Sequence, residues 1–391
     1  MIELSINIKA VLKKYFMVLI LIVVLLAFHI ATGGKMLLPQ NINNLISQNA
    51  YVFVLAAGML LCILTGGNID LSVGSVVCFI GGIGAVMMDH DLPSLLAVIV
   101  MLVGGLLVGV WQGFWIAYIR VPPFIATLAG MYAFRGLSNV VLQGYTVGVR
   151  NTSFLNVFGG GADCYVPDLF GSGSLNLTCL LAGIVLIVIY ILTTLKGRIS
   201  AKSKGYEVEA FYSVLLKMVL ISAAVIWFFY KLAQYKGIPT SLIWIGIVLL
   251  SYAYITSNTT MGRYLYAVGG NEKATTLSGI DSRKVYLFAY TNMGLMAGLG
   301  GILTIARATQ AQPTFGQGYE MDAIAACFIG GASAYGGEGN IFGIVIGALL
   351  MGVINMGMSI MGTDANYQKV IKGLVVLGAI IFDVLSNKKK N

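Results

Sequence analysis

The chain predicts an all-α, polytopic membrane protein of about ten to twelve transmembrane helices, built from inverted repeats with broken half-helices. Three observations lead there. Its 391 residues are 58% apolar and only 10% charged, with a mean hydropathy of +0.89, whereas an ordinary soluble domain is nearer one quarter charged. Several uncharged runs reach the roughly 20 residues that cross the hydrocarbon of a bilayer. The pentapeptide CFIGG occurs twice, at 78–82 and at 327–331, each time shortly after an acid, Asp70 or Asp322.

The elements follow in order. Long uncharged runs cover 15–34, 92–119, 169–195, 237–262, 285–306 and 339–363, and shorter or interrupted ones cover 46–65, 71–88, 125–143, 214–230, 320–331 and 369–385. All read as helices, because lipid offers no partner to an open backbone. The first run follows Lys9, Lys13 and Lys14 and ends near the small residues Ala31 and Gly33. It is longer than a signal-peptide core and reads as a retained anchor. Of five cysteines, Cys62, Cys78, Cys179 and Cys327 lie in apolar spans, where the residue acts as a small hydrophobe. No disulfide framework emerges, and with His29 and His90 far apart no metal site is expected.

If the segments alternate from a cytoplasmic N-terminus, most of the 24 Lys and Arg residues share that side. Among them are Arg120, Lys196, Arg198, Arg263, Lys273, Arg283, Lys389 and Lys390, while Lys35, Arg150, Lys231, Lys236 and Arg307 fall opposite. This is the bias of a membrane protein with both termini inside. The net charge of +9 is therefore a topology signal and makes no case for nucleic acid, which needs a basic patch on a soluble surface.

The two CFIGG copies head related spans, LLVGVWQG from Leu106 and LLMGVINMG from Leu349, giving a first repeat over 66–143 and a second over 316–385. Alternation sends the two CFIGG helices in opposite directions, an inverted repeat of the kind transporters use, with the solute route at the repeat interface. Residues 65–75, TGGNIDLSVGS, form the broken helix. Gly66 and Gly67 end one piece, Asp70 or Ser72 caps the next, and Asn68, Asp70 and Ser72 are candidates for the translocation path. The plainer role for Asp70 is capping alone, which needs no ligand. Gln112 and Asn355 hold matching places in the repeat spans and join the candidates, although a membrane amide usually bonds a neighbouring helix. Glu320 and Asp322 read as dipole partners of a second short helix, and Arg135 as a snorkelling or bridging residue. The glycines, such as Gly105, Gly109, Gly294 and Gly298, read as close helix packing.

Between long spans lies a polar island, MGRYLYAVGGNEKATTLSGID at 261–281, within a cytoplasmic segment over 261–284. Asn271 stands where an N-cap belongs, Glu272 in the first turn, and Gly279 where a left-handed C-cap is needed. A helix of about two turns is not stable alone in water, so its caps imply something packed against it. The chain has no G-x-x-x-x-G-K-[ST] phosphate loop, so energy comes from an ion gradient or from another subunit. Its scattered polar residues form no nucleophile and base set, so it is not expected to be an enzyme.

The runs GRYLYAVGGNEKATTLSGI at 262–280, GGNIDLSVGS at 66–75, YEMDAIAACFIGGASAYGGEG at 319–339 and IKGLVVLGAIIFD at 371–383 resemble the permease subunits of bacterial ABC importers for ribose, xylose and galactose. That resemblance implies a single membrane domain over 1–391, paired with a second permease copy on ABC-type ATPase subunits that bind ATP and Mg. It also implies feeding by an extracytoplasmic sugar-binding protein, with no cofactor on this chain. By position, Asn271, Glu272, Lys273, Ala274 and Gly279 would form the element that couples to the ATPase. A basic loop and two spans over 196–256 make the chain longer than ribose-type members, as in xylose-type and multiple-monosaccharide permeases. Xylose, galactose or a galactoside stay open as substrates, and an ion-coupled secondary sugar carrier is the alternative.

Overall fold

The computed structural model describes residues 8–388 except 172, 174, 207 and 209, with backbone alone at 8–16, 382, 383 and 385–388. Lys389 and Lys390 of the orientation argument lie outside the described residues. Fifteen α-helices account for nearly all regular structure there: α1 (Ile8–Ala31), α2 (Pro39–Gln48), α3 (Ala50–Leu64), α4 (Val73–Asp89), α5 (Ser94–Ala117), α6 (Pro123–Leu142), α7 (Thr152–Phe158), α8 (Leu177–Ser203), α9 (Phe211–Ala233), α10 (Thr240–Asn258), α11 (Thr260–Leu277), α12 (Ser282–Ala308), α13 (Tyr319–Ile329), α14 (Ile341–Ile360) and α15 (Ala365–Lys388). Two-residue strands β1 (Val147–Gly148) and β2 (Gln310–Ala311) pair antiparallel, Val147 opposite Ala311.

Seven of these helices, α5, α6, α8, α9, α10, α12 and α14, are long and apolar enough to cross a membrane unaided. A bend of 41° at Asn49 divides α2 from α3, which taken together are long and apolar enough for an eighth span or a re-entrant pair. The α4 helix is shorter, at 17 residues. The α13 helix has 11 residues, about 16 Å at 1.5 Å per residue, only half of a 30 Å hydrocarbon core.

Helix α3 is the centre of the molecule: every residue from Val52 to Leu64 is buried, with α10, α12, α13 and α14 packed around it. Against α12 lies α5, along a seam where glycines bring the two backbones together. A Cβ on Gly105 would sit 2.5 Å from the Gly294 carbonyl oxygen, and one on Gly109 would sit 2.5 Å from that of Tyr290. The small residues let the two backbones touch, as membrane helix pairs do when no hydrophobic force drives them together. By contrast α8 and α9 pack on each other at the periphery, held to the body through Ile42, Cys179, Phe229 and Leu232. Their outward faces, including Leu181, Ile184, Leu216 and Leu220, are apolar and exposed, as a lipid-facing pair requires.

Two helices start side by side inside the bundle. The chain leaves α3 at Thr65, turns through Gly66 and Gly67 at φ 120° and 74°, and re-enters helix only at Val73. Residues 312–318 likewise lead without helix from β2 into α13. Gly74 and the Gly316 carbonyl touch at the two starting points, too closely for any side chain at Gly74. From that meeting point α4 runs toward β1 and β2, Cys78 pointing its thiol at the carbonyls of Gln312 and Pro313. Helix α13 runs the other way, to a loop that Gly337 ties to the last turn of α3 by its amide on the Leu64 carbonyl, 3.1 Å.

Candidate functional site

The polar island becomes a capped elbow. Thr259 starts α11 by accepting the Gly262 amide at 3.1 Å, and the helix then breaks at Asn271, whose φ of −160° and ψ of 97° are extended. The break lets the Asn271 side chain accept the Ala274 amide at 3.0 Å, the N-cap that the sequence predicts. Thr275 straddles the break, its hydroxyl donating to the carbonyls of Ala267 and Asn271 at 2.8 Å each. Gly279 takes φ 89° to end the piece, a conformation that costs a side chain but not glycine. Asp281 then caps α12, accepting the Arg283 amide at 3.1 Å.

Glu272 is the anchor of this elbow. Its Oε1 accepts from Arg120 Nη1 and from the Ser282 hydroxyl, both at 2.8 Å, and its Oε2 from the Tyr286 hydroxyl at 3.1 Å. Arg120 follows α5 with φ 63° and also donates to the Ser282 hydroxyl at 3.1 Å. One carboxylate thus ties α11 to the ends of α5 and α12. Burial pushes its pKa up, but the hydrogen bonds from Arg120 and Ser282 and the Arg120 charge outweigh burial and hold it below the ordinary value. Lys273 and Ala274 are exposed on the same short piece. Beside it a groove of about 560 Å³, lined by Tyr118, Arg120, Thr276, Gly279, Ser282 and Arg283, opens to the surface. Arg120, Ser282 and Tyr286 are neighbours of Glu272 that the sequence left unmarked as such, since Arg120 lies 152 positions from Glu272.

The other predicted residues divide into two places. Asp70 Oδ1 accepts the Ser72 amide at 2.8 Å and the Ser72 hydroxyl at 2.6 Å, while Gln112 Nε2 donates to that same hydroxyl at 2.5 Å. Asp70 therefore folds the turn before α4, and Ser72 spends its hydroxyl proton on Asp70 and accepts no amide of the helix. Asp70, Ser72 and Gln112 are buried, and the Gln112 Oε1 has no partner. Asn68 binds back to Thr65, at 3.2 Å to both its carbonyl and its hydroxyl. Asn355 stands apart, donating to Asn49 Oδ1 at 3.2 Å across the α2–α3 bend.

Two charged residues take partners that local reading misses. Asp322 is fully buried and, beyond its place in the first turn of α13, forms an ion pair with Lys372 of α15 at 2.9 Å and accepts the Tyr51 hydroxyl at 2.6 Å. The dipole reading of Asp322 is incomplete, because a carboxylate inside a bundle needs a cation and not only a helix end. Glu320 keeps the local role, accepting the Gly318 amide at 3.2 Å. Arg135 of α6 donates to the carbonyls of Pro313 and Phe315 at 3.0 and 2.6 Å, a bridge that pins the non-helical entry to α13.

Comparison with known proteins agrees with this architecture. The chain is 35% identical over 380 residues to the xylose transport system permease protein XylH of Haemophilus influenzae, covering 97% of this chain and 98% of that one. It is 34% identical to the protein of the same name from Escherichia coli K12, with 97% and 93% covered. To the ribose import permease protein RbsC of Escherichia coli K12 it is 34% identical, with 95% and 93% covered. No solved structure matches the chain. A family model described as branched-chain amino acid transport system / permease component matches residues 41–380, and with so much of its length matched the chain belongs to that family of membrane permeases.

Proposed function

We propose that this chain is the membrane-spanning permease subunit of an ATP-driven importer that carries a monosaccharide, xylose, galactose or a similar sugar, across the bacterial inner membrane. The observation that carries the reading is the Glu272 elbow: a two-turn helix, broken from α11 and capped at both ends, fastened by one carboxylate to two spans. Its tip presents Leu277, 90% exposed, beside the groove, and an apolar residue on a polar loop suits a protein partner. Asn271, Glu272, Lys273, Ala274 and Gly279 form the coupling element, and the partner is an ABC-type ATPase that holds ATP and Mg. The relatives named for xylose and ribose support a sugar as cargo.

The elbow faces the cytoplasm, as do both termini, and the far end meets a sugar-binding protein outside. Two copies of the chain pair on two ATPases. ATP binding moves the elbows, and the halves headed by α4 and α13 rock so that the path opens to one side at a time. Asn68, Asp70, Ser72, Gln112 and Asn355 supply polar groups to that path or to its hinges. The test is labelled xylose and galactose uptake into vesicles carrying this chain with its co-purified ATPase and binding protein. Uptake that requires internal ATP and the binding protein is the expected result. Uptake by the chain alone, lost when the ion gradient is dissipated, would make it a secondary carrier.

A further inference from the structure

At the end of α12 remote from Glu272 is a cavity of about 140 Å³ whose lining includes Gln48, Tyr51, Thr304, Arg307, Phe315 and Tyr319. We propose that it is a binding subsite for a single neutral monosaccharide, a point of hand-over at the entrance to the permease. This rests on the importer reading above and adds a site to it.

The size admits one small ring and falls well below the roughly 300 to 1,000 Å³ of pockets that hold larger ligands. The walls are mostly apolar, with a few polar groups among them. Tyr51 and Tyr319 stack at 3.6 Å between centroids, 13° from parallel, and with Phe315 they offer flat apolar surface to the C–H faces of a sugar ring. Gln48, Thr304 and Arg307 supply an amide, a hydroxyl and a guanidinium to its hydroxyl groups. Arg307 is braced by Asn44, donating to its Oδ1 at 3.3 Å, and Tyr51 by Asp322 behind it, so both are held in place before any ligand arrives. The charge pattern selects against an amino acid. A zwitterion needs an acid for its ammonium group, and no carboxylate lines the cavity; the acid behind Tyr51 is already neutralised by Lys372.

The cavity and the elbow lie at opposite ends of one helix. Ser282 opens α12 in the Glu272 cluster, and Arg307 stands in its last turn, about 37 Å away at 1.5 Å per residue. A single rigid element therefore touches both sites.

The experiment uses a Gln48→Cys variant of the complete transporter in vesicles. The five native cysteines of this chain are buried, so modification by a membrane-impermeant thiol reagent, read on the separated permease chain, reports on position 48. Xylose or galactose at about ten times its Kd should slow modification roughly tenfold, in the absence of ATP, and Gln48→Leu and Thr304→Val should each raise the KM for uptake. Protection by leucine or valine in place of sugar would overturn the proposal in favour of an amino-acid site. If the wild type imports sugar with ATP but neither sugar protects the introduced thiol and both KM values are unchanged, the subsite falls and the importer reading stands. If ATP-driven sugar uptake is absent from the wild type, the importer reading falls, and protection, which needs no turnover, still decides the subsite.

Discussion

Breaking the Asp322–Lys372 pair one residue at a time should have unequal effects. At 2.9 Å and an effective dielectric near 20, the attraction is roughly 6 kcal/mol, set against a desolvation cost of several kcal/mol for each ion. The intact pair is therefore close to balance, and the penalty lies in leaving half of it. Asp322 has no exposed side-chain surface and Lys372 has 20%. Lys372→Met strands a fully buried carboxylate with the Tyr51 hydroxyl as its remaining hydrogen-bond donor, and should cost about 3 to 5 kcal/mol. Asp322→Asn leaves a lysine that already reaches the surface, and should cost less, about 1 to 3 kcal/mol. The double variant carries no stranded charge and should lie nearer the wild type than Lys372→Met does, so the single effects are strongly non-additive. Reversible unfolding of the purified chain in mixed detergent titrations gives the three values. A Lys372→Met loss under about 1 kcal/mol, or additive singles, would refute the reasoning.

Three further outcomes follow from the same geometry. Gly105→Ala places a methyl 2.5 Å from the Gly294 carbonyl oxygen, backbone against backbone, and should lower stability by at least about 1 to 3 kcal/mol; a melting temperature equal to wild type would contradict the seam. Asn271→Ala removes the cap on Ala274 and should cost about 1 kcal/mol confined to the short helix, seen as faster amide exchange over 272–277 with the spans unchanged. Because the folded-state pKa of Glu272 lies below its ordinary value of 4.5, its contribution is full above that value and is lost as pH falls through the folded pKa. Exchange across the Glu272 cluster should thus be pH-independent near neutrality, after correction for intrinsic rates, and rise only below about pH 4.5; loss of protection between about pH 6 and 8 would sink this assignment.

What the sequence made legible is local. The N-cap at Asn271 and the left-handed Gly279 can be read from residue type and spacing because each acts within one turn. The break before α4 was marked by Gly66 and Gly67 for the same reason. What it hid depends on long-range packing. Nothing near Arg120 announces Glu272, and nothing near Asp322 announces Lys372, 50 positions on. Local rules gave each acid a helix-dipole role, and three-dimensional packing added a cation. The peripheral place of α8 and α9 was equally hidden, since an evenly apolar span reads alike whether lipid or protein surrounds it.

The glycine seam and the two half-helices argue together for which parts are stiff. At Gly105, Gly109, Gly294 and Gly298 the α5 and α12 backbones touch with no side chain between them, so the seam has little room to re-pack and the pair is best treated as one body. The entries to α4 and α13 also touch, where Gly74 meets the Gly316 carbonyl, but they differ in being non-helical. Each passes through non-helical chain held by a few identified bonds, the Asp70–Ser72–Gln112 set on one side and the Arg135 bridge on the other. Any motion of α4 against α13 would meet least resistance there, because such bonds can exchange partners one at a time while a close-packed seam must separate as a whole. On this view Arg135 keeps the bridging role, and Gln112, a candidate for the path, would act instead as a pin at the entry to α4. Arg135→Lys keeps the charge but shortens the side chain whose single nitrogen Nη1 reaches both carbonyls, and it should slow turnover more than it weakens sugar affinity. A larger KM at unchanged turnover would overturn this and place Arg135 on the sugar path instead.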